Sequence, residues 1–149
     1  MHKILVINGP NLNLLGNREK DIYGNLSLGE IEEISKKKSK ELNIELSFCQ
    51  SNSESEIIEL IQSVQNKHDG LIINPAGYTH TSVAILDALR AISKPKIEIH
   101  LSNIYLREDY RKTSITAAGV NGSICGFGYL GYILAIEALN NILNNNKKL

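Results

Sequence analysis

The sequence predicts an α/β fold, a parallel sheet covered by helices on both faces. Three observations carry that prediction. Five short, largely apolar runs, at residues 4–7, 44–48, 71–73, 96–100 and 123–125, read as strands buried on both sides. Segments with helical spacing separate them, and strand–helix alternation favours right-handed parallel crossovers. Polar clusters follow the first, third and fourth runs, where an open parallel sheet binds its ligands. Five such units in 149 residues point to a flavodoxin-like three-layer sandwich of strand order 2-1-3-4-5, in one catalytic domain over residues 1–149.

The elements follow in order. After the first strand comes a Gly-, Pro- and Asn-rich stretch over residues 8–25, too long for a simple connector. Ser27 can cap a helix carrying Leu28, Ile31, Ile34 and Leu42. Ser53 with Glu56 predicts a capping box for a helix carrying Ile57, Leu60, Ile61 and Val64, ended by Asp69 and Gly70. A helix over about residues 81–93 is stopped by Pro95. A long amphipathic helix from about Tyr129 closes the chain, with a polar tail at residues 144–149 expected to fray.

Composition excludes several classes. Lys plus Arg and Asp plus Glu balance at 16 each, so charge gives no hint of nucleic acid or membrane partners. The lysines at 36, 37, 38 and 40 read as a solvated helix face. No signal peptide is expected, and no apolar run reaches membrane-spanning length. Cys49 and Cys125 read as reduced core residues of a cytoplasmic protein. No Walker loop, calcium loop or His/Cys ligand cluster occurs, so neither metal nor cofactor is expected. The run Gly126-Phe-Gly-Tyr-Leu-Gly131 matches a dinucleotide signature. Only 18 residues follow it, leaving no next strand and no acid to hold a ribose, so close helix–strand packing is the better reading.

The chemistry gathers at the strand ends. Alternation places Glu98 and His100 on one face of the fourth strand and Ile97 and Ile99 on the other. A buried carboxylate is costly unless paired, and a glutamate two residues from a histidine can fix the imidazole's orientation and proton. The same two residues could also form a self-satisfied structural pair. The backbone N–H groups of Leu101 and Ser102 could cradle an anion. Arg18 and Tyr23 share the long loop, and a cation beside a phenol favours its ionised form. Bringing a phenol from about 10 to about 7 takes roughly 4 kcal/mol, which a closing loop would help supply by excluding water. His80 and Asp87 are seven apart on the predicted third helix and would share a face. Arg111 alone would read as a surface arginine.

Three stretches carry a family likeness: Ile7-Asn-Gly-Pro-Asn-Leu-Asn-Leu-Leu-Gly16 with Arg18 and Tyr23; Ile73-Asn-Pro-Ala-Gly-Tyr-Thr-His-Thr-Ser82; and Ile97-Glu-Ile-His-Leu-Ser-Asn103 with Arg107, Glu108 and Arg111. With the glycine-rich turn, they resemble the type II 3-dehydroquinate dehydratases over nearly the whole chain. That resemblance implies conversion of 3-dehydroquinate to 3-dehydroshikimate and water, a hydro-lyase step of the shikimate pathway and aromatic amino-acid biosynthesis. It proceeds by anti elimination through an enolate, without a cofactor. It implies Tyr23 as the base, Arg18 as its activating cation, Asn11 as enolate stabiliser through a water, and His100 as the acid oriented by Glu98. Leu101 and Ser102 would bind the substrate carboxylate, and Asn74, His80 and Arg111 its hydroxyls. Asp87 would reach a neighbouring subunit's site in a dodecamer built from trimers. Lys20 replaces the family's usual proline and Tyr105-Leu106 a common His-Ala pair, differences that bear on loop stiffness and rate. Two alternatives remain: a flavodoxin-like nucleotide or flavin-binding module, whose glycine-rich turn would face a phosphate, and a non-catalytic homologue.

Overall fold

The computed structural model describes residues 1–17 and 19–145. Strands β1 (His2–Asn8), β2 (Ile44–Gln50), β3 (Gly70–Asn74), β4 (Lys96–His100) and β5 (Gly122–Cys125) form one sheet. Its order is 2-1-3-4-5 and every neighbouring pair is parallel, as the sequence predicts. The helices are α1 (Lys20–Tyr23), α2 (Leu28–Glu41), α3 (Glu54–Lys67), α4 (Val83–Ala91) and α5 (Leu130–Asn145).

Alternation along the strands divides the core in two. Ile4 and Val6 of β1, Ile72 of β3 and Ile97 and Ile99 of β4 pack with Ile31 of α2 and Tyr132 and Ile136 of α5. Leu5, Ile7, Leu71 and Ile73 face the other way, against Ile57 and Ile61 of α3 and Ile85 and Leu89 of α4. A buried isoleucine contributes roughly 2 kcal/mol, so a one-residue slip of β1 would misplace a large share of the core. The same pleat turns Glu98 and His100 toward the α3 and α4 side.

Local chemistry explains where the element ends differ from expectation. The complete capping box forms at Ser27 and Glu30, not at Ser53 and Glu56. Ser53 accepts from the Glu56 N–H, but its own N–H is taken by Ser51 Oγ at 3.0 Å, so Glu56 has nothing to return to. The predicted helix over 81–93 is trimmed to α4, because residues Ala76–His80 form a separate 3-10 turn and Ser82 caps α4 through the Ile85 N–H. His80 and Asp87 therefore share no helix face. Asn144 and Asn145 are helical rather than frayed. The rest of the predicted tail, residues 146–149, lies outside the described residues. Cys49 and Cys125 are half-buried, less enclosed than a core reading expects. Lys38 leaves the solvated set to pair with Glu137 of α5 at 2.8 Å.

The carboxyl ends of β1 and β3 meet unusually closely. The Gly9 N–H donates to Asn74 O at 2.8 Å, and a Cβ on Gly9 would lie 2.5 Å from Pro75 O. Only glycine admits that approach without moving backbone. Tyr132, wholly buried, donates to Asn8 Oδ1 at 2.6 Å and so ties α5 to the end of β1. Burial pushes its phenol well above the ordinary range.

Candidate active site

Asn74 and His100, at the ends of β3 and β4, line one crevice with Leu12 from the turn after β1. Behind His100 lies the Glu98 carboxylate, 1% exposed. His100 Nε2 lies 3.0 Å from Glu98 Oε2, Ser114 Oγ donates to the same oxygen at 2.8 Å, and Thr116 Oγ1 donates to Oε1. Burial alone would raise this carboxyl. The hydrogen bonds from His100, Thr116 and Ser114, with the charge on His100, outweigh it and hold Glu98 below the ordinary carboxylate value. An ionised carboxylate only accepts, so Nε2 carries a proton and Nδ1 is the ring nitrogen left for a ligand.

The remaining walls are polar and basic. His80, Arg107 and Arg111 line the crevice with Asn74, Leu101 and Ser102. His80 Nδ1 meets Thr113 O at 2.8 Å, and because a carbonyl has no proton to give, Nδ1 donates. Asn74, 3% exposed, accepts the Ala76 N–H on its Oδ1, which steadies the turn that carries His80. Arg111 is half-buried and held by Glu108 Oε2 at 2.9 Å. The backbone N–H of Glu108 and the Arg111 and Arg107 guanidiniums hold the Glu108 carboxyl below its usual range. Two guanidiniums and a histidine around so small a space favour an anionic ligand.

Tyr23, at the end of α1, closes the outer side. The Arg107 guanidinium sits over its ring, 5.1 Å from the centroid. Arg107 also reaches Ser102 Oγ at 3.5 Å and Glu19 Oε2 at 4.0 Å, which fastens this part of the loop to the segment after β4. From sequence, Arg107 has no role beyond membership of a motif. Its spacing of four from Arg111 was the only signal that both point inward. Nothing in the sequence singled out Thr113, Ser114 or Thr116, because ordinary hydroxyl residues in a loop carry no pattern.

Two expected residues do not join this cluster, and a third, Arg18, lies outside the described residues. Asn11 is exposed, with left-handed backbone at φ 69° and its N–H on Asn52 Oδ1 at 3.0 Å; its neighbour Leu12 lines the crevice instead. Asp87 is exposed on α4, away from the crevice of its own chain. Among the described residues, no three His, Cys, Asp or Glu side chains gather as a metal site needs.

The glycine-rich turn is spent on fastening. Gly126 N donates to His100 O at 3.2 Å and Gly128 N to Leu101 O at 2.9 Å, so neither amide faces a phosphate. The close contact also differs from the expected helix–strand one. A Cβ on Gly126 would lie 3.2 Å from Asn103 Cβ in the loop after β4, whereas one on Gly131 would make ordinary 3.8 Å contact with Ile124.

Comparison with known proteins identifies the family. Residues 2–140 match the family model for class II dehydroquinases. A 3-dehydroquinate dehydratase of Clostridium botulinum is 54% identical over 147 residues, 98% of this chain and 97% of the relative. One from Thermoanaerobacter pseudethanolicus is 52% identical over 93% of this chain and 94% of the relative. The crystal structure of a type II dehydroquinase from Butyrivibrio crossotus superposes with a TM-score of 0.92 at 50% identity, covering 93% of this chain and 97% of that one. The chain belongs to the class II dehydroquinase family.

Proposed function

We propose that this chain is a single catalytic domain that converts 3-dehydroquinate to 3-dehydroshikimate and water, in the shikimate pathway. The observation that carries the reading is the pairing of two oriented groups across one basic crevice: His100 backed by Glu98, and Tyr23 under Arg107. Elimination beside a carbonyl needs a base, a stabiliser for the enolate and an acid. Tyr23 removes the C2 proton, and the electron pair moves onto the C3 carbonyl oxygen as an enolate. Asn11, outside the cluster here, stabilises that oxygen through a water once its loop turns inward. The enolate then collapses to the conjugated enone as the C1–O bond breaks. His100 delivers a proton to the departing hydroxyl, which leaves as water.

Arg18 serves with Arg107 as cationic support for Tyr23. Leu101 and Ser102 hold the substrate carboxylate through their N–H groups, and Asn74, His80 and Arg111 take the ring hydroxyls. No cofactor is called for in this scheme. The crevice encloses about 30 Å³, room for about one water, so a ring acid enters only when residues 19–24 swing aside. A larger space of about 420 Å³ lies beside it, and Tyr23, Leu101, Ser102 and Arg107 line both. Assembly into trimers and a dodecamer belongs to the same proposal. It would give a purpose to the exposed Val83, Asp87 and Arg90 on α4, with Asp87 serving a neighbour. So does a cytoplasmic setting, where unpaired thiols such as Cys49 and Cys125 are kept reduced.

The test is direct. Purified protein mixed with 3-dehydroquinate is expected to generate the ultraviolet absorbance of a conjugated enone. His100→Ala is expected to lower that rate by about 10²-fold or more. A folded wild-type protein that forms no enone would overturn the proposal.

A further inference from the structure

One loop segment, residues 113–116, touches both histidines of the site. Thr113 O holds His80 Nδ1–H, and Ser114 and Thr116 hold Glu98, which in turn holds His100. The segment is itself anchored. Ile115 N donates to Thr79 O at 2.9 Å, and Ala117 N donates to Ser114 Oγ at 3.0 Å. Gly119, just beyond, lies so near α4 that a Cβ there would come within 2.9 Å of Leu89 Cβ. The placement of the hydroxyls is therefore built in from three sides.

We propose that Ser114 and Thr116 are positioning residues of the reaction: they keep Glu98 an acceptor, and so decide which nitrogen of His100 delivers the proton. This rests on the reading of His100 as the acid. Both Glu98 oxygens accept hydrogen bonds, from His100, Ser114 and Thr116, and donors held on a carboxylate favour its ionised form. While Glu98 stays ionised, Nε2 keeps its hydrogen and Nδ1 is the only ring nitrogen that can transfer one. Without the hydroxyls, Glu98 takes up a proton more readily and Nε2 can lose its fixed role. The other titratable groups around the pair are Cys125, opposite His100 on β5, and Tyr23, His80, Arg107 and Arg111 across the crevice. On β3, the register partner of Glu98 is Ile73. No other carboxylate is in that set.

Ser114→Ala and Thr116→Val test the proposal, with Thr116→Ser as the variant that keeps the hydroxyl. Each of the first two is expected to lower kcat about tenfold with KM changed less than about twofold. The acid limb of the kcat profile is expected to move up by about one pH unit as Glu98 protonates earlier. Thr116→Ser is expected to restore both. In substrate-free protein, the step in the His100 ring resonances that reports Glu98 protonation is expected to move by the same amount. Unchanged kcat and an unmoved acid limb in Ser114→Ala and Thr116→Val would overturn the positioning role. If Thr116→Val does not fold, Ser114→Ala decides. A wild type inactive on 3-dehydroquinate would sink the functional reading alone, and the ring titration would still decide this one.

Discussion

Tyr23→Phe is expected to cut turnover of 3-dehydroquinate by about 10³-fold while substrate binding changes only a few-fold, since a positioned base contributes 10²–10⁴. The change removes one oxygen and keeps the ring. That ring packs against the α2 and α5 side of the core and lies under the Arg107 guanidinium, contacts that phenylalanine preserves. The loop therefore still closes, and the carboxylate and hydroxyl contacts on the other walls are untouched. Steady-state kinetics and calorimetric titration with substrate together check the outcome. A large loss of binding with near-normal kcat would assign Tyr23 to recognition instead.

Glu98→Gln is expected to damage both catalysis and stability. An amide keeps one acceptor oxygen where the carboxylate offers two, so its NH₂ group must displace a hydrogen bond that His100, Ser114 or Thr116 now donates. Breaking a buried, hydrogen-bonded charge pair costs about 3 kcal/mol. Activity is expected to fall about 10²-fold, because neither the tautomer nor the charge of His100 is held. The pH dependence follows from the depressed value of Glu98. Its stabilising contribution is present above the unfolded carboxyl value of about 4.3 and is lost as pH falls through the lower folded value. Wild-type unfolding free energy should thus drop more steeply on acidification below about pH 4 than that of Glu98→Gln. Denaturant titrations at a series of pH values measure the difference.

The strands were legible because burial on both faces leaves a plain mark. β4 begins and ends where its composition says, and the sheet order follows from the alternation of elements. The Glu98–His100 pair was legible because the period of two puts both on one face at a strand end. What surrounds that pair was not. Ser114 and Thr116 are distant in sequence and reach Glu98 because the 3-10 turn Thr116–Gly119 holds their loop against α4. The predicted continuity of His80 and Asp87 failed for a related reason. Ser82 offered a cap, and the backbone took it, which started a new helix between them. Ser53 caps its helix as expected, but the reciprocal half of the capping box is lost to a competitor two residues away, Ser51, which takes the Ser53 N–H.

The central claim is a division of labour: Tyr23 takes the C2 proton and His100 acts on the departing hydroxyl. Proton magnetic resonance of 3-dehydroquinate in deuterated water measures the two halves separately. His100→Ala is expected to keep exchanging the C2 hydrogen for deuterium while forming almost no enone, and Tyr23→Phe is expected to do neither. Exchange that persists in Tyr23→Phe but vanishes in His100→Ala would contradict the account.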